Sequence, residues 1–100
     1  MQLQKNEDGT VLTVTPDEQL DTMAARELEG ELRTSVEGVQ ELVFDFSKVE
    51  YMTSAALRVL HSAQKVMKKQ GSMVVRNVKS EAMEIFEVTG FVDLLNIEAS

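Results

Sequence analysis

Two adjacent hydroxyls, Thr53 and Ser54, and a single histidine, His61, are the side chains of this sequence best placed to do chemistry. A serine near a histidine suggests nucleophilic catalysis, which needs the imidazole within about 3 Å of the hydroxyl it deprotonates. From Ala56 onward, however, apolar residues fall at positions 56, 59, 60, 63, 66 and 67, one face of an α-helix. Ser54 and His61 then lie two helical turns apart, roughly 10 Å at 1.5 Å per residue. The pair fails on geometry, and His61 reads as a surface or rim residue. Metal chemistry fails on composition, because one histidine and no cysteine leave only carboxylates, none repeated at ligand spacing. Gly9, Gly30, Gly38, Gly71 and Gly90 are too scattered for a phosphate-cradling loop. The methionines lie mostly on or beside apolar faces, where core filling explains them. No catalytic residue, metal or cofactor is expected, and the chain does not read as an enzyme.

What remains is chemistry done to a hydroxyl. Residues 42–46, Leu-Val-Phe-Asp-Phe, have the length and residue types of a buried strand. The helical pattern that follows runs to about Gln70, and the intervening turn sets Thr53 and Ser54 at its first residues. Two explanations stand for a hydroxyl there. The ordinary one is capping of the free N–H groups of the helix start. The other is a modifiable group at the positive end of the helix dipole, where a phosphate is tolerated.

The elements around this turn follow in order. Leu3 to Lys5 and Val11 to Val14 flank Glu7-Asp8-Gly9 as a hairpin, and Pro16 ends the second strand. Asp21 or Thr22 caps a helix whose stripe is Ala24, Ala25, Leu28, Leu32 and Val36, with Gly38 as its stop. Gly71 is expected to close the long helix in the left-handed conformation, and Met73-Val74-Val75 to form the next strand. Ser80 is expected to cap a third helix, ending at Gly90 with Phe91 folding back on Phe86. Residues 93–97 finish as a helical turn and an edge strand. The order is β-β-α-β-α-β-α-β. Strands separated by helices imply parallel pairing, with one antiparallel hairpin at the start. The expectation is a single α/β domain over residues 1–100, a mixed sheet of about five strands with three to four helices.

Composition narrows the partners. Hydrophobic residues make up 43% of the chain and the formal net charge is −7. Acidic balance disfavours nucleic acid and anionic lipid, which need clustered Lys and Arg. Lys65, Lys68 and Lys69 fall in the last turns of a helix, where cations complement the dipole. No apolar run approaches the ~20 residues of a membrane span. With no signal-like N-terminus, the expected location is the cytoplasm.

The stretch from Leu42 to Leu57 resembles the central motif of STAS domains, in particular bacterial anti-sigma factor antagonists. Their pattern is a hydrophobic strand, Asp-Leu-Ser, a spacer, then Met-Asp-Ser-Ser/Thr-Gly-Leu. Leu20-Asp21-Thr22 resembles the opening of the family's first helix, and residues 84–91, Glu-Ile-Phe-Glu-Val-Thr-Gly-Phe, its C-terminal signature. The resemblance implies a STAS-like α/β fold with Ser54 as phosphoacceptor and Thr53 as a weaker alternative. It implies that the unphosphorylated form binds an anti-sigma factor serine kinase and frees the sigma factor. Phosphorylation would abolish binding, and a serine phosphatase would reset it. The implied partner face is Asp21, Tyr51, Met52, Thr53, Ser54, Ala55, Leu57 and Arg58. Thr53 stands where the family usually has Asp, Ala56 where it has Gly, and Glu18 where a glycine is common. The missing acid at 53 keeps open an alternative, an unphosphorylated STAS module in a transporter-associated or signalling assembly.

Overall fold

Alternating Val11-Leu12-Thr13-Val14-Thr15 sends Leu12 and Val14 to one face of a strand and the threonines to the other. In the computed structural model, which describes residues 1–100, this strand is β2 (Val11–Thr15). It pairs antiparallel with β1 (Gln2–Lys5) across the predicted hairpin. A two-residue strand, β3 (Gln19–Leu20), precedes helix α1 (Thr22–Ser35). Then come β4 (Glu41–Asp45), a second two-residue strand β5 (Tyr51–Met52) and α2 (Ser54–Gln70). The chain finishes with β6 (Ser72–Val78), α3 (Ser80–Thr89), a 3-10 turn at Phe91–Asp93 and β7 (Ile97–Ala99). The main sheet has the order β1-β2-β4-β6-β7, parallel beyond the first pair. The expected fold class is therefore the observed one.

All three helices pack on one face of that sheet. Leu12 and Val14, Leu42 and Phe44, and Met73 and Val75 form a single buried cluster with residues of α1, α2 and α3. Phe46 stacks on Phe86 with ring centroids 6.0 Å apart, tying the end of β4 to α3. Val43 and Val74, cross-strand partners on the opposite face, are buried outside this cluster.

Several local expectations are corrected. Lys79, not Ser80, is the residue before α3; Ser80 is the first helical residue and its hydroxyl donates to Glu81 Oε1 at 3.0 Å. Gly71 is not left-handed, since its φ of 172° is extended. Glycine is required there for space: a Cβ would overlap the backbone carbonyl of Gln40. Gly90 does take the left-handed conformation, φ 79°. Phe91 packs against the core cluster that holds Phe86 and also sets its ring edge-on to His61 at 6.1 Å, while Phe86 stacks on Phe46. Val66, counted with the apolar stripe of α2, is 43% exposed, and Leu57 is buried instead. A Leu at that position follows Ala56 into the core because the helix enters the sheet face almost at once.

Candidate functional site

The entries to α1 and α2 are locked together by β3 and β5. Gln19 pairs with Tyr51 and Leu20 with Met52 in a parallel ladder. The Thr53 N–H donates to the Leu20 carbonyl at 3.1 Å, and the Glu50 N–H to the Glu18 carbonyl at 2.9 Å. One residue beyond this ladder stand Asp21 and Thr53, so the two helices start side by side. Leu20 and Met52 are buried and anchor the ladder from below.

The helix starts differ in how their free N–H groups are met. At α1, Asp21 Oδ1 accepts from the Ala24 N–H at 2.9 Å, a standard side-chain cap. At α2, Thr53 occupies the corresponding position, yet its side chain makes no capping bond. Its Oγ1 is buried and makes no hydrogen bond at all. Ser54 is the first helical residue and is exposed. The first helical bond of α2 runs from the Leu57 N–H to the Thr53 carbonyl at 3.2 Å. The N–H groups of Ser54, Ala55 and Ala56 precede it and have no protein acceptor. Neither hydroxyl therefore caps this helix. One is sealed in and the other stands free beside three open donors.

The expected partner face divides on burial. Tyr51 is 48% exposed, and Asp21, Ser54 and Arg58 are exposed as well. Ala55 is half-buried. Met52 and Leu57 are core residues that hold the turn from beneath and present no surface, a correction to the expected face. Met23, on the first turn of α1, is 72% exposed. Its place off the α1 stripe was the only sequence signal for it. A groove runs from this rim between the helices, lined by Thr22, Arg26, Glu29, Ala55, Arg58 and Ser62 among others.

A second carboxylate positions the turn. Asp45 Oδ1 accepts from the Ser47 N–H at 3.0 Å and from Asn77 Nδ2 at 3.1 Å. Asn77 sits at φ 58°, in the left-handed region, at the irregularity where β6 leaves register with β7. Burial alone would push the Asp45 carboxyl up. The hydrogen bonds from Asn77 and Ser47 outweigh it, with Lys48 adding, and the pKa lies below the ordinary value. A depressed carboxylate stabilises the fold above its unfolded pKa of about 3.9, and that contribution is lost as pH falls through the folded value. Asp45→Asn should therefore flatten the acid limb of a stability-versus-pH curve below about pH 4 relative to the parent, measured by urea melts.

The buried Thr53 hydroxyl gives a second expected outcome. An unsatisfied buried polar atom costs about 1–3 kcal/mol. Thr53→Val keeps the shape and removes that cost, so the melting temperature should rise by about 4 °C or more in calorimetry. Thr→Ala would not serve, because it opens a hole.

This architecture, with a mixed sheet, helices on one face and a paired helix entry, is that of the STAS domain. The family model for the STAS domain matches residues 2–100, and the chain belongs to that family. Among named relatives it is 35% identical over 78 residues to BtrV of Bordetella bronchiseptica, carried in its name as an anti-sigma factor antagonist. That match covers 76% of this chain and 67% of the relative. The fold superimposes on the unphosphorylated form of the anti-sigma factor antagonist SpoIIAA with a TM-score of 0.83 at 15% identity, covering 99% of this chain and 87% of that one. The phosphorylated form of the Bacillus determinant SpoIIAA gives 0.75 at 15% identity, with 99% and 90% covered. An anti-sigma factor antagonist from Thermotoga maritima gives 0.85 at 16% identity, with 99% and 86% covered. Family membership rests on the family match and on BtrV; the structures carry the fold.

Proposed function

We propose that this chain, as one STAS domain over residues 1–100, is an anti-sigma factor antagonist switched by phosphorylation of Ser54. Unphosphorylated, it binds an anti-sigma factor serine kinase through the rim formed by Asp21, Tyr51, Ser54, Ala55 and Arg58, and the sigma factor is released. Phosphorylated, it no longer binds, and a serine phosphatase restores it. It acts by binding, not by catalysis, in the cytoplasm. The carrying observation is the contrast between the two hydroxyls: Ser54 is exposed at the first position of α2, and Thr53 Oγ1 is buried. A kinase can reach only the first without unwinding the turn. The existence of SpoIIAA in phosphorylated and unphosphorylated forms supports the reading by likeness of fold.

Incubation with the anti-sigma factor kinase and ATP, followed by peptide mass spectrometry, tests it. One phosphate is expected on Ser54, none on Thr53, and none on Ser54→Ala. Label on Thr53, or no label with a kinase that binds the protein, counts against the switch. The absence of an acid at 53 favours a second reading, an assembly module that is never phosphorylated. Capture of a transporter ATPase complex by a Ser54→Ala and parent protein alike, with no kinase retained by either, would decide for it.

A further inference from the structure

Arg58 lies four residues after Ser54 on α2, and Arg26 lies four residues after Thr22 on α1. Side chains on a helix tilt toward its N-terminus, so a residue at i+4 leans over residue i, with Cβ atoms about 5–6 Å apart. An anion at i with a cation at i+4 is the favourable order of such a pair. The β3–β5 ladder starts both helices on one rung, which brings Arg26 and Arg58 to the same height on the two walls of one groove. Both are exposed, and neither makes an ion pair, since the salt bridges of the protein involve Met1–Asp17, Arg33–Glu29, Arg76–Glu98 and Lys79–Glu50. Two free guanidinium groups therefore line the groove beside the start of α2, that of Arg58 one helical turn beyond the exposed hydroxyl, in a chain whose net charge is −7.

We infer that a phosphate on Ser54 is held within the molecule by Arg58, with Arg26 as a second ligand from across the groove. The inference rests on the proposed modification of Ser54 and adds the internal partner of the phosphate. Arg58 is planar and forked, suited to two phosphate oxygens at once. The nearby anions are few: Asp21 is at the adjoining helix start and Glu29 lines the same groove, already engaged with Arg33 at 3.4 Å. Modification then changes the rim twice. It adds a dianion, and it withdraws two cations that the unmodified protein offers to its partner. The partner surface matched to the unmodified rim carries acidic residues opposite Arg58.

Phosphoserine placed at position 54 during translation, with no kinase involved, provides the test. Phosphorus NMR titration reads the second ionisation of the phosphate, ordinarily near pH 6. A guanidinium within about 4–5 Å should lower that midpoint by about half a pH unit or more. Arg58→Gln should raise the midpoint by about that amount, Arg26→Gln by less, and the double variant by the most. Lys65→Gln, farther along the helix, should leave it in place. The helix dipole, Asp21 and Glu29 act equally in all these proteins, so the difference isolates the arginines. Equal midpoints in the parent and in the double variant would overturn the inference. A missing kinase label on Ser54 would count against the functional reading alone, and equal midpoints against this inference alone.

Discussion

A phosphate on Ser54 is expected to weaken binding to the anti-sigma factor kinase by about a thousandfold, a loss of ~4 kcal/mol. The modification adds about −1.5 to −2 charge at a position that the unmodified protein would bury against its partner. The start of α2 compensates only in part: its open N–H groups and dipole offset about 0.3–1 kcal/mol at an exposed site. Stripping water from a dianion costs several times that when the partner provides no cation to meet it. No rearrangement of the domain is needed, because the groups that change contact lie on the surface of a fixed turn. Calorimetric titration of the kinase with phosphoserine-54 protein and with parent protein checks the size of the effect. Ser54→Glu brings about half the charge and a poorer shape, and should lose about tenfold or more. Ser54→Ala should bind within about fivefold of the parent, since a single exposed hydroxyl contributes about 1 kcal/mol or less. Phosphorylated protein that binds as tightly as the parent would exclude a switch by local charge.

The same contrast between Thr53 and Ser54 shows where reading a sequence succeeds and where it stops. The long helix after residue 53 was legible because its apolar positions repeat at helical spacing, and β4 because Leu42-Val43-Phe44 is a continuous apolar run. The resemblance around Asp45 and Ser54 located the turn. The inward rotation of one hydroxyl was not legible, since Ser and Thr are both good caps and nothing in their order says which of them faces the core. The resemblance puts Met52 and Leu57 on the partner face, whereas Met52 is drawn inward by the ladder to β3 and Leu57 lies on the buried side of α2. That ladder is two residues long on each side, too short for any alternation to register. It nevertheless sets Asp21 beside Thr53, and with it the spacing of Arg26 and Arg58. The polar link between Asp45 and Asn77 joins residues 32 apart in sequence, which no local pattern reports.

Gly71→Ala is expected to cost about 3 kcal/mol or more, a large part of the 5–15 kcal/mol by which a domain is stable. Its φ is extended, not left-handed, and this cost is that of collision. The added Cβ would sit inside the Gln40 carbonyl, and that carbonyl cannot move aside. It accepts from the Ser72 N–H at 2.9 Å, and the Gln40 N–H donates to the Thr10 carbonyl at 2.7 Å. Gln70 Nε2 pins the same connection from the other side, donating to the carbonyls of Val36 at 2.8 Å and Val39 at 2.6 Å. Relief would require the end of α2 to withdraw from the entry to β4, which breaks the first parallel rung between Glu41 and Ser72. The melting temperature should fall by roughly 12 °C or more at an unchanged denaturant slope. Gly30→Ala supplies the opposite sign. Gly30 lies mid-helix in α1, exposed, with open space where the methyl group of an alanine would stand, so that substitution should stabilise by up to about 1 kcal/mol. A Gly71→Ala protein as stable as the parent would mean that the α2–β4 junction yields, and that the close approach of Gln40 to the end of α2 does not hold the helix in place.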